Sequence, residues 1–181
     1  MNIWKFIIEL AGWKIDISPD IPSKCVICVA PHTSNWDFPI GYAAYKAVGR
    51  KANFLMKKFW FFFPMGVLMR SLGGIPVDTK SHKGNLTQEI INRFKDSDYL
   101  NLAVTPEGTR SATDRWKTGF LYISYGAKVP IYLGVLDYKT KRIIIRDYYS
   151  PTGDEKKDMD YIRRYYKKYA NVGKKPDLFI P

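Results

Sequence analysis

The chain has 181 residues, a length typical of one domain built around one hydrophobic core. Hydrophobic residues make up 46% of it and aromatic residues 15%, which excludes a disordered protein because enough apolar surface is available to offset the chain entropy. Lys and Arg number 29 against 17 Asp and Glu, so the net charge of +12 predicts a negatively charged partner: nucleic acid, anionic lipid or an acidic small molecule.

Several other classes of protein are disfavoured. The longest apolar run, residues 59–69, is shorter than the roughly 20 residues that a membrane-spanning helix requires. The N-terminal segment does not show the pattern of a secretory signal, so we expect an intracellular protein. Cys25 and Cys28 form a C-x-x-C within an apolar segment that reads as a strand, where residues three apart face opposite sides, so we expect two buried thiols. With two histidines in the chain, the sequence predicts no metal site.

The N-terminal part predicts a helix, a strand and a second helix. Apolar residues recur at helical spacing within residues 3–15, which indicates an amphipathic helix. Its apolar face fits either a helix packed on the core or an anchor at a membrane interface. A buried strand over residues 25–30 then leads through a polar loop into a helix over residues 35–48.

The middle of the chain combines basic and aromatic residues. A short apolar segment over residues 53–56 precedes an aromatic stretch over residues 59–72, and residues 73–78 read as a turn and a short strand. Residues 86–94 resemble a helix. The aromatic stretch fits either a buried core helix or a surface that docks on a membrane. In the second interpretation the docking residues are Lys57, Lys58, Phe59, Trp60 and Phe61.

The C-terminal part continues the alternation of strands and helices. A strand over residues 99–105 is followed by a helix over 117–126, a hairpin over 128–149 and a last helix over 154–170. This order predicts one α/β domain over residues 1–181, with a largely parallel sheet, flanking helices and a C-terminal hairpin and helix. Ligands of such sheets bind beyond the carboxyl ends of the strands. His32 and residues 106–110 each follow a strand, so we expect them at one edge.

His32 and Asp37 are candidates for a catalytic pair. A neutral imidazole accepts a proton from a hydroxyl near neutral pH, and a carboxylate five residues later could orient the ring. The alternative is structural, because Ser34 and Asp37 also have the spacing of a helix capping box. The sequence contains no G-x-S-x-G motif, so direct attack by a substrate hydroxyl fits better than an acyl-enzyme.

A second polar loop follows the strand over residues 99–105. Glu107 offers a carboxylate, Gly108 a flexible backbone with free amides, and Arg110 a guanidinium suited to bidentate phosphate binding. A polar surface turn with an ion pair is the alternative interpretation.

Taken together, these motifs resemble the glycerolipid acyltransferase family, which includes 1-acylglycerol-3-phosphate acyltransferases. The resemblance rests on four sequence blocks that occur in the family's order. The blocks are the H-x4-D of His32 and Asp37, residues 73–78, residues 107–111 and residues 129–131.

The resemblance implies roles for particular residues. His32 would be the general base and Asp37 its orienting partner. The substrate-binding residues would be Glu107, Gly108, Thr109, Arg110, Thr79 and Pro130. The donor would be acyl-CoA or acyl carrier protein, used as a co-substrate, and no further cofactor is implied.

One departure from the family concerns phosphate recognition. The family usually has an arginine where this chain has Thr79, and that arginine normally contacts the phosphate of the acceptor. A threonine donates only one neutral hydrogen bond. The acceptor range is therefore expected to be broad unless another cation compensates; the candidates are Arg110, Lys57, Lys58 and Arg70.

The sequence therefore predicts an O-acyltransferase that acts on a lysolipid. We expect it to lie peripherally on the inner, cytoplasmic face of the membrane, with anionic lipids and the acyl donor as partners and no nucleic acid. Two alternatives remain: a hydrolase of acyl thioesters that uses the same His32, and a non-catalytic basic module that binds anionic membranes or nucleic acid.

Overall fold

The computed structural model describes residues 2–77 and 83–181 and contains one seven-stranded sheet. Its strands are β1 (Lys14–Ile17), β2 (Lys24–Val29), β3 (Asn53–Lys57), β4 (Gly74–Val77), β5 (Leu100–Val104), β6 (Ile131–Asp137) and β7 (Arg142–Tyr149). They lie side by side in the order β1-β7-β6-β2-β5-β3-β4.

Helices connect most of the strands. They are α1 (Ile3–Leu10), α2 (Asp37–Ala47), α3 (Met65–Ser71), α4 (Lys83–Asp96), α5 (Gly119–Ala127) and α6 (Glu155–Lys167). Two 3-10 segments, Lys58–Phe61 and Pro176–Leu178, complete the regular structure of the described residues. No helix in these ranges has the length and apolar character needed to cross a bilayer.

The sheet is largely parallel, as the alternation of elements predicts. Neighbouring strands run parallel except for β6 and β7, which form the predicted antiparallel hairpin. Because β2 and β5 are parallel neighbours, the loops that follow Val29 and Val104 leave the sheet at the same edge. The candidate site lies at this edge, which is formed by the carboxyl ends of the parallel strands.

The two faces of the sheet bury different clusters. Cys28 on β2 packs in the larger cluster, with residues of α4, α5 and α6 such as Phe94 and Phe120. Cys25 lies in a separate cluster with Ile27 and Tyr45 of α2. Both thiols are free and buried, which confirms the prediction for the C-x-x-C pair. Burial raises the pKa of Cys25 to about 12, so this thiol is unreactive at neutral pH.

The N-terminal helix is shorter than predicted. It ends at Leu10, and Lys14 and Ile15, at the end of the predicted helix, belong to the edge strand β1. This part of the prediction was wrong because β1 is stabilised by parallel pairing with β7, where Lys14 lies opposite Arg142. Such pairing across the length of the chain is not visible in local periodicity.

The aromatic stretch lies on the surface. Phe59 is 76% exposed and Phe63 is 86% exposed, and Trp60 and Phe62 are also exposed. This exposure excludes the buried-core interpretation for these four side chains. The segment consists of the 3-10 turn Lys58–Phe61 followed by α3, with the guanidinium of Arg70 lying 5.1 Å from the centre of the Phe61 ring.

Candidate active site

His32 and Asp37 meet in the loop between β2 and α2. The His32 Nδ1 lies 3.0 Å from Oδ2 of Asp37. The same oxygen accepts hydrogen bonds from the backbone N–H groups of Thr33, at 3.0 Å, and Ser34, at 2.9 Å. Asp37 therefore holds both the loop backbone and the imidazole. The predicted capping box between Ser34 and Asp37 does not form, because α2 begins at Asp37 and the Ser34 hydroxyl accepts from the N–H of Trp36 instead.

The arrangement selects one form of the ring. A carboxylate facing Nδ1 favours the tautomer in which Nδ1 carries the hydrogen and donates it to Asp37. Nε2 then keeps a free lone pair. His32 is partly exposed and lines a cavity of about 1060 Å³, whereas Asp37 is buried. The ring that carries the nitrogen able to accept a proton thus lies on the wall of a space large enough for a substrate.

Tyr138 also supports Asp37. Its hydroxyl donates to Asp37 Oδ1 at 2.6 Å, so both oxygens of the carboxylate are engaged. Burial and the Asp37 carboxylate raise the pKa of Tyr138, which keeps the hydroxyl protonated and able to donate. The ring packs edge-on against Trp13 at 5.0 Å, which restricts its position.

Glu107 supports the loop from the other side. Its Oε1 accepts a hydrogen bond from the backbone N–H of His32 at 2.8 Å. The side chain is only 3% exposed, and this burial, reinforced by the nearby Asp37 carboxylate, raises the pKa of Glu107 to about 7 despite the hydrogen bond, which lowers it. Glu107 therefore contacts the backbone of the His32 loop, a role that the sequence pattern alone did not indicate.

The turn after β5 places Glu107. Gly108 has a φ of +64°, and its N–H donates to the carbonyl of Thr105 at 3.1 Å. A side chain is strained in this left-handed conformation, so a glycine is required to close the turn. Thr109 Oγ1 accepts from the N–H of Ser111 at 3.2 Å and shapes the same loop, while Arg110 is exposed and lines the cavity.

One predicted site residue, Pro130, is not brought to this end of the sheet. Pro130 precedes β6, at the amino end of a strand parallel to β2, and its carbonyl accepts from the N–H of Val26. It therefore lies toward the opposite end of the sheet from His32, and its contacts indicate a role in strand pairing. Thr79 lies outside the described residues.

The cavity is mostly apolar. Side chains from both sides of the sheet line it, including Phe38, Phe54, Leu55, Leu86, Ile123 and Ile143. The polar groups His32, Arg110 and Lys117 lie on the same cavity. A cavity of this composition accommodates an extended apolar group with a polar reacting end.

The predicted docking residues adjoin this cavity. Lys57 ends β3, is exposed and lines the cavity, while Lys58, Phe59 and Trp60 follow it on the surface. Phe61 is partly buried beneath Arg70. The exposed aromatic segment is therefore continuous with one wall of the cavity.

Known proteins resemble this chain in sequence family and in fold. The structure resembles the crystal structure of the 1-acyl-sn-glycerophosphate (LPA) acyltransferase PlsC from Thermotoga maritima, with a TM-score of 0.62 and 20% sequence identity. The match covers 95% of this chain and 78% of that one, and at this identity it shows a shared fold. No curated protein sequence matches the chain significantly. The family model for acyltransferases matches residues 14–133. The chain therefore belongs to the acyltransferase family.

Proposed function

We propose that this acyltransferase moves a fatty acyl group from acyl-CoA or acyl carrier protein to the hydroxyl of a lysophospholipid, such as 1-acylglycerol-3-phosphate or a related lysolipid. The observation that carries the proposal is the His32 and Asp37 pair, held at 3.0 Å on the wall of a large apolar cavity. The likeness of the fold to a lysophosphatidate acyltransferase supports the choice of acceptor.

The chemistry follows from the free Nε2 of His32. This nitrogen takes the proton of the acceptor hydroxyl while the oxygen attacks the carbonyl carbon of the thioester. The tetrahedral intermediate then expels the thiolate, the C–S bond breaks, and the imidazolium returns the proton to sulfur. Asp37 stabilises the imidazolium between these steps. Among the described residues that line the cavity there is no Ser or Cys, which supports direct transfer without an acyl-enzyme.

The exposed aromatic segment supports a peripheral position on an anionic membrane. Phe59, Trp60 and Phe63 present apolar surface next to Lys57 and Lys58. The aromatic side chains would enter the interface while the lysines approach lipid phosphates. Since Lys57 also lines the cavity, docking by this segment would bring the cavity close to the lipids that supply the acceptor.

The test is product analysis with labelled acyl-CoA and acyl carrier protein, each with and without a panel of lysolipids. The proposal predicts a labelled diacyl product and release of free thiol in equal amounts, both dependent on the acceptor. Labelled free fatty acid formed at the same rate without acceptor would instead indicate a thioester hydrolase. Absence of either product with every pair would contradict the proposed reaction.

A further inference from the structure

A second cavity, of about 350 Å³, is lined by the loop that follows His32, by Arg110 and by the C-terminal segment. We infer that this cavity binds a phosphate group of a substrate through Lys174, Lys175 and Arg110. The inference rests on the proposed function and assigns to it a site in the C-terminal segment. The residues that the argument uses are Thr33, Asn35, Trp36, Arg110, Lys174 and Lys175.

The C-terminal segment is fixed against the catalytic loop. The backbone N–H of Lys175 donates to Thr33 Oγ1 at 3.1 Å, and Thr33 is buried directly after His32. Gly173 approaches so closely that a Cβ there would lie 3.0 Å from Thr33 Oγ1 and 3.3 Å from the Cβ of Pro31. The lysines therefore follow a backbone whose position is set by the loop.

The charges of this cavity are unbalanced. Of the eight lining residues three are cations and none carries a carboxylate. Arg110, Lys174 and Lys175 form no ion pair with an acid among the described residues. Lys174 Nζ lies 5.4 Å from the centre of the Trp36 ring, a contact that holds the ammonium beside the cavity without neutralising it. Three cations at one concave site disfavour one another and favour a multivalent anion.

A phosphate is the anion that this set of donors fits best. The guanidinium of Arg110 offers paired donors to two phosphate oxygens, and each lysine adds a mobile ammonium. Arg110 and Asn35 also line the larger cavity, so a phosphate bound here would be adjacent to the space in front of His32. These cations could thus supply the phosphate contact that Thr79 cannot.

Two substrates carry such a phosphate, the lysophosphatidate acceptor and the coenzyme A of the donor. Four soluble probes separate them: 1-hexanoylglycerol 3-phosphate against 1-hexanoylglycerol, and coenzyme A against pantetheine. Binding of each probe is measured by isothermal titration calorimetry without membranes. The measurement uses wild type, Lys174→Gln/Lys175→Gln, and the control Lys156→Gln/Lys157→Gln, which makes the same charge change at exposed positions on α6.

Wild type should bind one phosphorylated probe more tightly than its phosphate-free counterpart. The Lys174/Lys175 variant should weaken that binding by about tenfold or more, because hydrogen bonds to charged groups are lost. The phosphate-free counterpart and the control variant should change less than about twofold, since no contact is removed. The phosphorylated probe that responds identifies which substrate uses the cavity.

Three results would overturn the inference: no preference of wild type for either phosphorylated probe, unchanged binding in the Lys174/Lys175 variant, or an equal loss in the control. Binding is measured without turnover, so its outcome is separate from the proposed reaction. If the protein binds the phosphorylated probe as predicted but transfers no acyl group, the proposed reaction is refuted and the phosphate site is not. Acyl transfer with unchanged phosphate binding in the variant would refute this site alone.

Discussion

The hydroxyl of Tyr138 donates to Oδ1 of Asp37 at 2.6 Å, while Oδ2 of the same carboxylate faces the His32 ring at 3.0 Å. Tyr138 follows the last residue of β6, and Asp37 is the first residue of α2. The hydrogen bond thus joins the orienting carboxylate to the end of a central strand. In the proposed mechanism Tyr138 is therefore a positioning residue, because it reaches the imidazole only through Asp37.

Tyr138→Phe should lower kcat by roughly tenfold and leave KM nearly unchanged, because loss of one hydrogen bond of this kind corresponds to about 1 to 3 kcal/mol. It should also lower the free energy of unfolding by a similar amount, since Oδ1 is left without its donor. Steady-state kinetics and urea unfolding measure the two effects. The control is Tyr148→Phe, on an exposed tyrosine of β7. Equal kcat values for wild type and Tyr138→Phe would contradict the positioning role.

Asp37→Asn separates the structural role of Asp37 in the loop from its proposed catalytic role. The asparagine keeps an oxygen that can accept from the loop amides, but it lacks the charge that stabilises the imidazolium. We expect acyl transfer to fall by about 10² to 10⁴ and the free energy of unfolding to fall by only about 1 kcal/mol. Asp154→Asn is the matched control, because Asp154 caps α6 through the N–H of Lys157. If Asp37 had only a structural role, Asp37→Asn would lower the activity and the free energy of unfolding no more than Asp154→Asn does.

Glu107 should make stability depend on pH. Its pKa is raised from 4.5 to about 7 in the folded protein, so between these values the folded state keeps a proton that the unfolded state has released. Stability from this group is full below pH 4.5 and is lost as the pH rises through about 7. The loss should reach about 3 kcal/mol, given about 1.36 kcal/mol for each pKa unit between 4.5 and about 7.

Glu107→Gln removes this titration while keeping an oxygen that can accept from the N–H of His32. Chemical unfolding between pH 4 and 8 should show wild type losing stability relative to the variant as the pH rises. The control Glu89→Gln, on the exposed side of α4, should follow wild type. Parallel curves for wild type and Glu107→Gln would mean that Glu107 titrates as an ordinary carboxyl.

Membrane association should depend on the charge of the lipid. Each basic residue near an anionic surface contributes about 1 kcal/mol, and salt at 0.1 M screens this attraction over roughly 10 Å. Lys57→Glu/Lys58→Glu should therefore weaken binding to anionic vesicles in sedimentation assays, and wild type should bind less as salt rises. The control Lys156→Glu/Lys157→Glu makes the same change in net charge on α6 and should weaken binding less than Lys57→Glu/Lys58→Glu does. Equal binding of wild type to neutral and anionic vesicles, insensitive to salt, would exclude electrostatic docking.

The sheet and the catalytic loop could be predicted because their signals are local. The apolar run of β2 and the polar residues after it indicated a strand that ends at a site, and parallel pairing with β5 then brought Glu107 beside His32. In a parallel sheet the loops that follow the strands all lie at the carboxyl ends of the strands, so the positions of these two loops follow from the order of elements in the chain. That part of the site required no knowledge of side-chain contacts.

The rest depends on contacts between distant parts of the chain. Tyr138 lies 101 residues from Asp37, and Lys175 lies 142 residues from Thr33. Nothing in the neighbourhood of either residue distinguishes it from other tyrosines and lysines of a basic, aromatic chain. Strand β1 was missed for the same reason, because its partner strand β7 begins only at Arg142, far along the chain. The roles of these residues can be inferred only from the folded structure, in which Tyr138 contacts Asp37 and Lys175 contacts Thr33.

The most direct test of general-base catalysis by His32 is the rate of acyl transfer by His32→Ala at saturating acyl-CoA and lysophosphatidate, measured together with the circular dichroism of the variant. General-base catalysis contributes about 10² to 10⁴ in rate, so we expect kcat to fall by at least a hundredfold while the spectrum stays that of wild type. A folded His32→Ala protein that retains most of the wild-type turnover would contradict the account.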